Sequence, residues 1–594
     1  MKCPDGIKLT SRAVSFLQIS SIIILGIVIY INCSGGGFVW DDHGLIKENT
    51  YIRNWSNLPK IFSASFGSGG GATSNFYRPL QAFIQMAGYF LWGAHPAGYH
   101  LISIFTHILA AILFYLLLRN IFYHKSLSFL ASLLFLSCPI NTEAVCYISG
   151  LSDPLSLVFM LTSFILYLRA LPTKNLKLHT LALFSFSLAL LSKENAVVLP
   201  FFILVYHYAF NKKIEIKRFL FFFGVLIAYL VFRLLIFKSS GQSDFIFDGI
   251  WKRIPIFFAG IAQYLRILLL PVDLHVEYTH QLFNFTDFLA ILGFILAVSL
   301  IIYAFVGRKS NPGFFFAVAW FFIAFLPVSN IYPISYSFIM EHYLYVPALG
   351  FFIILSGLPG VYSRNGILKT SLFLLAVVLI ILYSYLTIRQ TDYWKKPIFF
   401  YERTLSYAPR SWRFYNELGI EYASIGNSLK AESSYQEALK INPSALGVYD
   451  NLSSLYGKIG DQKKLLAARK EENEVRLELI RKDYEVVSSL KNAGRYKEVA
   501  VILKKILAFD QSNLAVRVEL ANTHVLTGDY KDALELFEAI LKAKPDFALG
   551  YNNLCVVYFY LKRYDLAINN CDKAIALGYP VAPELINLLK PYKK

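Results

Sequence analysis

The chain has 594 residues, of which 56% are hydrophobic and only 16% are charged, whereas an average soluble domain is roughly 25% charged. This composition excludes a soluble protein, and the 51 Phe and 39 Tyr residues are typical of lipid-facing helices. The formal net charge of +18 would favour a nucleic-acid partner in a soluble chain, but the Lys and Arg residues here flank apolar segments, so no nucleic acid is expected.

Residues 1–389 alternate apolar segments with short polar connections. The first segment, Ala13–Ile31, is long enough to span a bilayer and follows basic residues, so we predict an uncleaved first helix rather than a signal peptide. Further segments near spanning length bring the total to about eleven spans. They cover 98–118, 126–142, 154–170, 178–194, 196–210, 219–237, 286–306, 313–329, 342–360 and 367–388.

Two other apolar stretches, Tyr77–Gly93 and Arg253–Leu270, are amphipathic, and counting either one alone as a span would place basic loop residues on the outer side. We therefore predict interfacial or re-entrant helices there. With the N-terminus inside, the inner segments carry many basic and few acidic residues, as the positive-inside rule requires. An odd number of spans then places everything after Tyr385 on the extracytoplasmic side.

A second region begins near residue 390, where the apolar runs end. Four glycines, Gly426, Gly460, Gly494 and Gly528, are spaced by 34 residues, the period of a tetratricopeptide helix-turn-helix unit. We predict an all-α protein with a membrane domain over 1–389, a connecting or capping helix within 390–411, and an α-solenoid of about five repeats over 412–594. Solenoids commonly bind protein or peptide on their concave face, and a purely architectural solenoid is the alternative.

The second unit departs from the repeat pattern after Gly460, where 463–481 reads as a charged helix. In the last repeat, Cys555 and Cys571 occupy facing positions. They could pair in an oxidising compartment or remain buried free thiols.

Ionisable side chains at the edge of membrane spans are costly and are therefore functional candidates. In the predicted topology they gather at the outer face. They are Asp41, Asp42 and Arg78 in the first outer loop, Glu143 and Asp153 in the second, Lys193 and Glu194 at the third outer turn, and Glu341 and His342 near the fifth. Such a polar site, open to lipid, suits a reaction between a lipid-phosphate donor and an extracytoplasmic acceptor.

The sharpest local feature is the pair Asp41 and Asp42, which follows the first helix directly. Adjacent residues on a loop point in different directions, so one carboxylate could act as a general base while the other organises the loop or a divalent cation. The alternative is an interfacial acidic turn that precedes a helix.

Three basic residues are candidates for a donor phosphate. Arg78 could hold a phosphate or extend to the membrane interface. Lys193 is either a phosphate counter-charge or half of a local ion pair with Glu194, and Arg266 has the same two interpretations. His100 and His107 lie seven residues apart on one predicted helix, which is about two turns and too far for one metal ion. A hydrogen-bonded structural histidine is therefore favoured.

Taken together, these features resemble the transmembrane and tetratricopeptide-repeat O-mannosyltransferase family and its bacterial relatives, within the C-type glycosyltransferase superfamily. The resemblance covers nearly the whole chain. Besides the repeats, it rests on Phe38 to Asp42 with Asn49, Tyr77-Arg78-Pro79, Gly98-Tyr99-His100 with His107, Pro139 to Val145 with Gly150 and Asp153, Leu191 to Glu194 with Pro200, Tyr264 to Pro271, and His342-Tyr343-Leu344-Tyr345.

The resemblance implies a C-type glycosyltransferase fold and transfer of a sugar, mannose, from a polyprenyl- or dolichyl-phosphate donor to a Ser or Thr hydroxyl with inversion. It implies Asp41 as the first choice for the base, with Asp42 as its neighbour or substitute. It also implies Arg78, Lys193 and Arg266 as donor-phosphate candidates, and His100, Glu143, Asp153, Glu194, His342 and Tyr343 as candidates for the sugar and acceptor site. Leu151 and His342 stand where the family pattern leads us to expect basic residues, which could alter donor specificity.

The rival hypothesis is a non-enzymatic membrane scaffold whose repeats recruit envelope or lumenal partners. A scaffold needs no clustering of ionisable groups at one membrane face, and a transporter would need charged groups near span midpoints. A lipid or glycan acceptor is a further alternative. The sequence leaves open whether a divalent cation, Mg or Mn, takes part. It also leaves open whether the membrane is a bacterial inner membrane with periplasmic repeats or the endoplasmic reticulum with lumenal repeats.

Overall fold

The computed structural model describes residues 11–71, 74–236, 250–278, 283–331, 339–356 and 366–593. Within these ranges all regular structure is helical and no strand occurs, which confirms the predicted all-α class. The chain divides into two compact units, Met1–Tyr422 and Ala423–Lys594.

The first unit contains the apolar helices, with short 3-10 turns in several of the described connections. The helices are α1 (Ser11–Tyr30), α2 (Leu58–Ser63), α3 (Pro79–Trp92), α4 (Pro96–Phe122), α5 (Lys125–Ser137), α6 (Thr142–Cys146), α7 (Ser152–Thr173), α8 (Leu176–Ser192), α9 (Leu199–Ala209), α10 (Ile216–Ile236), α11 (Ile250–Leu269), α12 (Phe288–Val306), α13 (Pro312–Phe325), α14 (Ala348–Leu355), α15 (Gly366–Lys395) and α16 (Pro397–Tyr407).

The described part of the chain has six helices long and apolar enough to cross a bilayer, which makes the chain a multi-pass membrane protein. They are Arg12–Gly35, Pro96–Phe122, Ile148–Thr173, Ile216–Leu235, Phe288–Val306 and Gly366–Lys395. A seventh span forms if Lys125–Ser137 and Pro139–Cys146, which are bent by 53°, count as one.

Three shorter apolar helices, Leu176–Ser192, Glu194–Ala209 and Pro312–Val328, coincide with three more predicted spans. The remaining predicted span, 342–360, lies partly outside the described residues. The count of about eleven spans therefore stays a prediction. The amphipathic stretches are helical as α3 and α11, and their interfacial position also stays a prediction.

The second outer loop is a compact series of turns between α5 and α7. It consists of Pro139–Asn141, α6 and Ile148–Leu151. A Cβ atom at Gly150 would lie 2.9 Å from the carbonyl oxygen of Glu143, so only glycine lets the loop fold back this closely on itself. The loop can therefore bring Ser149 to the loop after α1 and Glu143 to the turn at His342.

The repeat region begins with α17, most of which belongs to the first compact unit. Its helices are α17 (Trp412–Ser424), α18 (Ser428–Ile441), α19 (Leu446–Ile459), α20 (Gln462–Asn492), α21 (Tyr496–Phe509), α22 (Leu514–Thr527), α23 (Tyr530–Ala543), α24 (Ala548–Tyr560), α25 (Tyr564–Ala576) and α26 (Pro583–Leu589). The charged segment predicted after Gly460 is part of α20, which runs without a break past residue 480, where the 34-residue period places the start of the third unit.

The 34-residue glycine spacing has a backbone cause. Gly426, Gly460, Gly494 and Gly528 have φ values of +79°, +77°, +69° and +81°, the left-handed region that glycine enters without a steric penalty. The fifth turn keeps this conformation with a lysine, because Lys562 has a φ of +59°. The backbone repeat therefore extends one unit beyond its glycine signature.

Candidate active site

The loop that follows α1 buries Asp42 completely and uses it as a structural clamp. Oδ1 of Asp42 accepts hydrogen bonds from the Ser149 N–H at 2.8 Å and the Ser149 O–H at 2.5 Å, and Oδ2 accepts one from the Val39 N–H at 3.2 Å. Burial raises the pKa of Asp42 to about 6 against these hydrogen bonds. Asp42 thus ties the first outer loop to the second.

Asp41 has the opposite environment. Its side chain is exposed, yet protein surrounds it closely enough for desolvation to raise the pKa of the carboxyl, with the Tyr147 hydroxyl and the charge of Arg78 acting in the other direction. The preceding Trp40 has a φ of +53°, a strained conformation for a non-glycine residue. The loop therefore leaves the Asp41 carboxylate exposed and buries the Asp42 carboxylate.

Arg78 is an ion-pair partner rather than a side chain extended to the interface. Its Nε and Nη2 atoms donate to Oε2 of Glu194 at 3.2 and 3.1 Å, and Nη1 lies 3.4 Å from the Ser152 hydroxyl. The Phe76 ring lies 4.5 Å from the guanidinium carbon. The two charged side chains are only 14% and 15% exposed, so this pair is fixed beside the Asp41 loop.

Lys193 pairs with Asp153 and not with its neighbour Glu194, so the local ion pair weighed from the sequence does not form. Nζ of Lys193 donates to both carboxylate oxygens of Asp153, at 2.7 and 2.6 Å. The side chains are 5% and 2% exposed. The neighbouring side chains of Lys193 and Glu194 therefore pair with two different residues, Asp153 and Arg78.

A second group of candidate residues joins the second outer loop to the fifth. Glu143 accepts from the His342 backbone N–H at 2.8 Å, and its other oxygen lies 2.8 Å from Nδ1 of His342. Glu341, also buried, accepts from the Tyr278 hydroxyl at 2.9 Å. Burial, followed by the charge of Glu143, raises the pKa of Glu341 well above its ordinary value. Tyr343 is buried beside the His342 ring at 4.7 Å.

The remaining candidates are placed differently. His107 is a hydrogen-bonded structural histidine, with Nδ1 2.6 Å from the Tyr345 hydroxyl. His100 is buried beside the Cys33 thiol, and its role stays a prediction. Arg266 is exposed on α11, and its charge acts on His275 rather than on the Asp41 group.

The structure also brings in residues that sequence reasoning missed. Ser149 clamps Asp42, and Tyr147 lies beside Asp41. Arg233 on α10 donates to the carbonyl of Asn75 at 3.0 Å, and its charge acts on Glu194. The motif around Gly150 could have pointed to Ser149. Arg233 sits inside an apolar run that was assigned to a span.

The cysteines and a metal site were left open by the sequence. Cys555 and Cys571 are buried free thiols. No group of three or more His, Cys, Asp and Glu side chains placed to hold a metal ion occurs among the residues that the structure describes.

Comparisons with known proteins find matches in both the apolar part and the repeat part of the chain. A family model described as dolichyl-phosphate-mannose-protein mannosyltransferase matches residues 78–237, and two tetratricopeptide-repeat models match 413–444 and 492–555. Among solved structures, ArnT from Cupriavidus metallidurans bound to undecaprenyl phosphate aligns with 75% of this chain and 81% of its own, at 13% identity and a TM-score of 0.36.

Curated relatives extend the similarity to both domains. Protein O-mannosyl-transferase F38B6.6 of Caenorhabditis elegans is 26% identical over 442 residues, which cover 71% of this chain and 62% of that protein. Protein O-mannosyl-transferase TMTC3 of Homo sapiens is 24% identical over 635 residues, covering 96% and 66% respectively. This chain thus spans less than two thirds of the length of either relative. By its motifs and by these matches, the chain is similar to the transmembrane and tetratricopeptide-repeat protein O-mannosyltransferases.

Proposed function

We propose that this protein is a membrane glycosyltransferase that transfers mannose from a polyprenyl- or dolichyl-phosphate donor to Ser and Thr hydroxyls of extracytoplasmic proteins. The similarity to proteins named protein O-mannosyl-transferase supports the reaction class. We also propose that the Asp41 face and the repeats lie on the extracytoplasmic side of the membrane, as the positive-inside pattern indicates.

The observation that carries this proposal is the contrast between two adjacent carboxylates. Asp42 is fully buried and clamped by Ser149 and Val39, so it cannot meet a substrate without breaking the loop. Asp41 is exposed, and its raised pKa makes it a better proton acceptor than an ordinary aspartate. Asp41 is therefore the base, and Asp42 is the residue that positions it.

The proposed reaction is a direct displacement. Asp41 takes the proton of the acceptor hydroxyl while that oxygen forms a bond to the anomeric carbon of the sugar. The bond between this carbon and the phosphate oxygen breaks, and the lipid phosphate leaves with the electron pair. A single displacement inverts the configuration at the anomeric carbon.

The cations have different access to the leaving phosphate. Arg78 lies beside Asp41 and shares its guanidinium with Glu194 and Ser152, which makes it the first candidate for the phosphate. Lys193 could reach a phosphate only by leaving Asp153, so it acts mainly by positioning. Arg266 stays a weaker candidate because it acts on His275 instead.

Glu143 and His342 hold two outer loops together, and we propose that they shape the sugar and acceptor site with Tyr343, His100, Asp153 and Glu194. The repeats would hold the acceptor protein on their concave face and raise its effective concentration at Asp41.

The test is sugar transfer by purified full-length protein in lipid nanodiscs, from radiolabelled polyprenyl-phosphate mannose to a pool of Ser- and Thr-containing proteins. Asp41→Asn should lower the rate by about 10²–10⁴-fold and leave the thermal unfolding midpoint unchanged. Asp42→Asn should lower both, because an amide cannot accept from both Ser149 and Val39. Asp572→Asn, an exposed charge in the last repeat, is the matched control.

Full activity of the Asp41→Asn variant would contradict the assignment of the base. Failure of folded wild-type protein with every polyprenyl-phosphate sugar would contradict the enzyme proposal and favour a scaffold that only recruits partners.

A further inference from the structure

Two cysteine side chains meet beside the loop that carries Asp41. Cys33 lies in the turn Ile31–Gly35, which follows α1, and Cys146 is the last residue of α6 in the second outer loop. Each is only 1% exposed, and in this structure both are free thiols. The two thiols are within hydrogen-bonding contact of each other. The fold thus brings together two reactive groups from distant parts of the sequence.

Helix α4 positions both cysteines. The turn that carries Cys33 and helix α6 each pack against α4, and the His100 imidazole of α4 contacts the Cys33 thiol. A Cβ atom at Gly36 would lie 3.4 Å from Nε2 of His100, so the imidazole lies directly against the backbone that follows Cys33. The Gly36 N–H donates to the Cys33 carbonyl at 2.9 Å. The thiols are therefore held in place by packed backbone, and their contact meets the main geometric requirement of a disulfide.

We propose that Cys33 and Cys146 form a disulfide bond that joins the first outer loop to the second. The inference rests on the proposed extracytoplasmic position of this face, because disulfides form and persist in oxidising compartments. It does not depend on the transfer reaction. Once the two loops have packed, burial keeps reducing thiols away from the bond, since thiol–disulfide exchange requires access to a sulfur atom.

The bond forms by exchange with an incoming disulfide, carried by an oxidoreductase or a small molecule, while the two loops are still coming together. His100 takes the proton of the Cys33 thiol, and the thiolate attacks one sulfur of this reagent. The other sulfur leaves as a thiolate and takes up that proton. Cys146 then attacks the Cys33 sulfur of the mixed disulfide, and the second reagent sulfur leaves with the Cys146 proton. Two electrons pass to the reagent, which ends as two thiols.

The disulfide adds a covalent link to a loop that hydrogen bonds and ring contacts already hold. Asp42 accepts from Ser149 of the second outer loop. The Trp40 N–H donates to the Tyr401 hydroxyl at 2.9 Å, and the ring centroids of Trp40 and Phe414 are 5.6 Å apart. The new link closes a long stretch of chain, and stabilisation by a disulfide increases with the length of the loop that it closes. Loss of the bond should therefore destabilise the unit that carries Asp41.

The first experiment detects the bond in membranes that contain the full-length protein. The membranes are dissolved in sodium dodecyl sulfate with N-ethylmaleimide, which traps every free thiol, and the protein is digested without reductant for mass spectrometry. The peptides of Cys33 and Cys146 should appear as one linked species. Cys138, which is fully buried just before the second outer loop, is the internal control and should carry maleimide. Maleimide on both Cys33 and Cys146, or a link from either one to Cys138, would overturn the proposal.

Copper phenanthroline, an oxidant that links thiols already in contact, separates two causes of a negative result. If it links a pair that was free in the membrane, the contact is correct and the proposed extracytoplasmic position of this face is wrong. If the pair stays free, the contact itself is wrong. Sugar transfer by the same preparation reports separately on the proposed function.

The second experiment measures the thermal unfolding midpoint of the full chain in nanodiscs. Cys33→Ala with Cys146→Ala should lower the midpoint by about 5 °C or more. A phosphine reductant should lower the wild-type midpoint in the same way and leave the double variant unchanged. Cys138→Ala, which removes a buried thiol outside the pair, is the matched control and should keep the wild-type response to reductant. A wild-type midpoint that does not respond to reductant would overturn the proposed link.

Discussion

The buried pair of Lys193 and Asp153 allows a quantitative test of the site's framework. Lys193→Met keeps most of the side-chain volume but leaves the Asp153 carboxylate without its cation. Because the two side chains are 5% and 2% exposed and Nζ contacts both oxygens, at 2.7 and 2.6 Å, this loss leaves an uncompensated buried charge. Breaking such a pair costs about 3–5 kcal/mol, whereas replacing both partners with apolar residues is often nearly neutral.

The assay is the thermal unfolding midpoint of the full chain in nanodiscs, for wild type, Lys193→Met, Asp153→Leu and the double variant. Each single variant should melt several degrees lower, and the double variant should recover most of the loss, giving a large favourable coupling. We expect the double variant to retain measurable transfer, because Lys193 positions the site. A single variant that costs less than about 1 kcal/mol would refute the reasoning.

The remaining predictions concern pH and the repeat backbone. The proposed transfer requires ionised Asp41, and the pKa of this carboxyl is raised, so initial rates should rise with pH and their acidic limb should lie above the ordinary aspartate range near pH 4. The raised pKa of Glu341 means that the folded protein keeps a proton on this carboxyl where the unfolded chain releases it. The contribution of Glu341 to stability therefore falls as pH rises above the ordinary glutamate range. Glu341→Gln should flatten the dependence of the unfolding midpoint on pH. Gly528→Ala should destabilise its turn by about 1 kcal/mol, because alanine is strained at this left-handed φ. Lys562→Gly should stabilise the fifth turn by relieving that backbone strain. Hydrogen exchange of the repeats in the full chain measures both effects.

Much of the fold follows from local rules. The 34-residue spacing predicts the repeats because each glycine occupies a left-handed turn, a constraint that depends only on the backbone. The same rule also limits the prediction, since Lys562 adopts that conformation without any signal in the sequence. The long helix α20 shows that a boundary between units can disappear when no residue stops the helix.

The candidate site was less accessible from the sequence. Its ionisable residues could be identified, because charge at the edge of a span is costly. Their partners could not, because Arg78 and Glu194 are 116 residues apart and Asp153 and Lys193 are 40 apart, while the neighbours Lys193 and Glu194 do not pair. Glu417 lies in the region that the sequence assigns to the repeats. That assignment says nothing about how close Glu417 lies to Asp41 on the first outer loop.

The contacts around Trp40 also bear on when the proposed transfer can begin during synthesis. The loop that carries Asp41 is made early in synthesis, but it is completed by Tyr401 and Phe414. At about 5–20 residues per second, the ribosome reaches these residues roughly 20–80 s after it has made the loop. During that interval the growing chain holds the carboxylate without the helices that shape its surroundings. The proposed transfer would therefore begin only after the residues up to Phe414 have been made and have folded onto the loop.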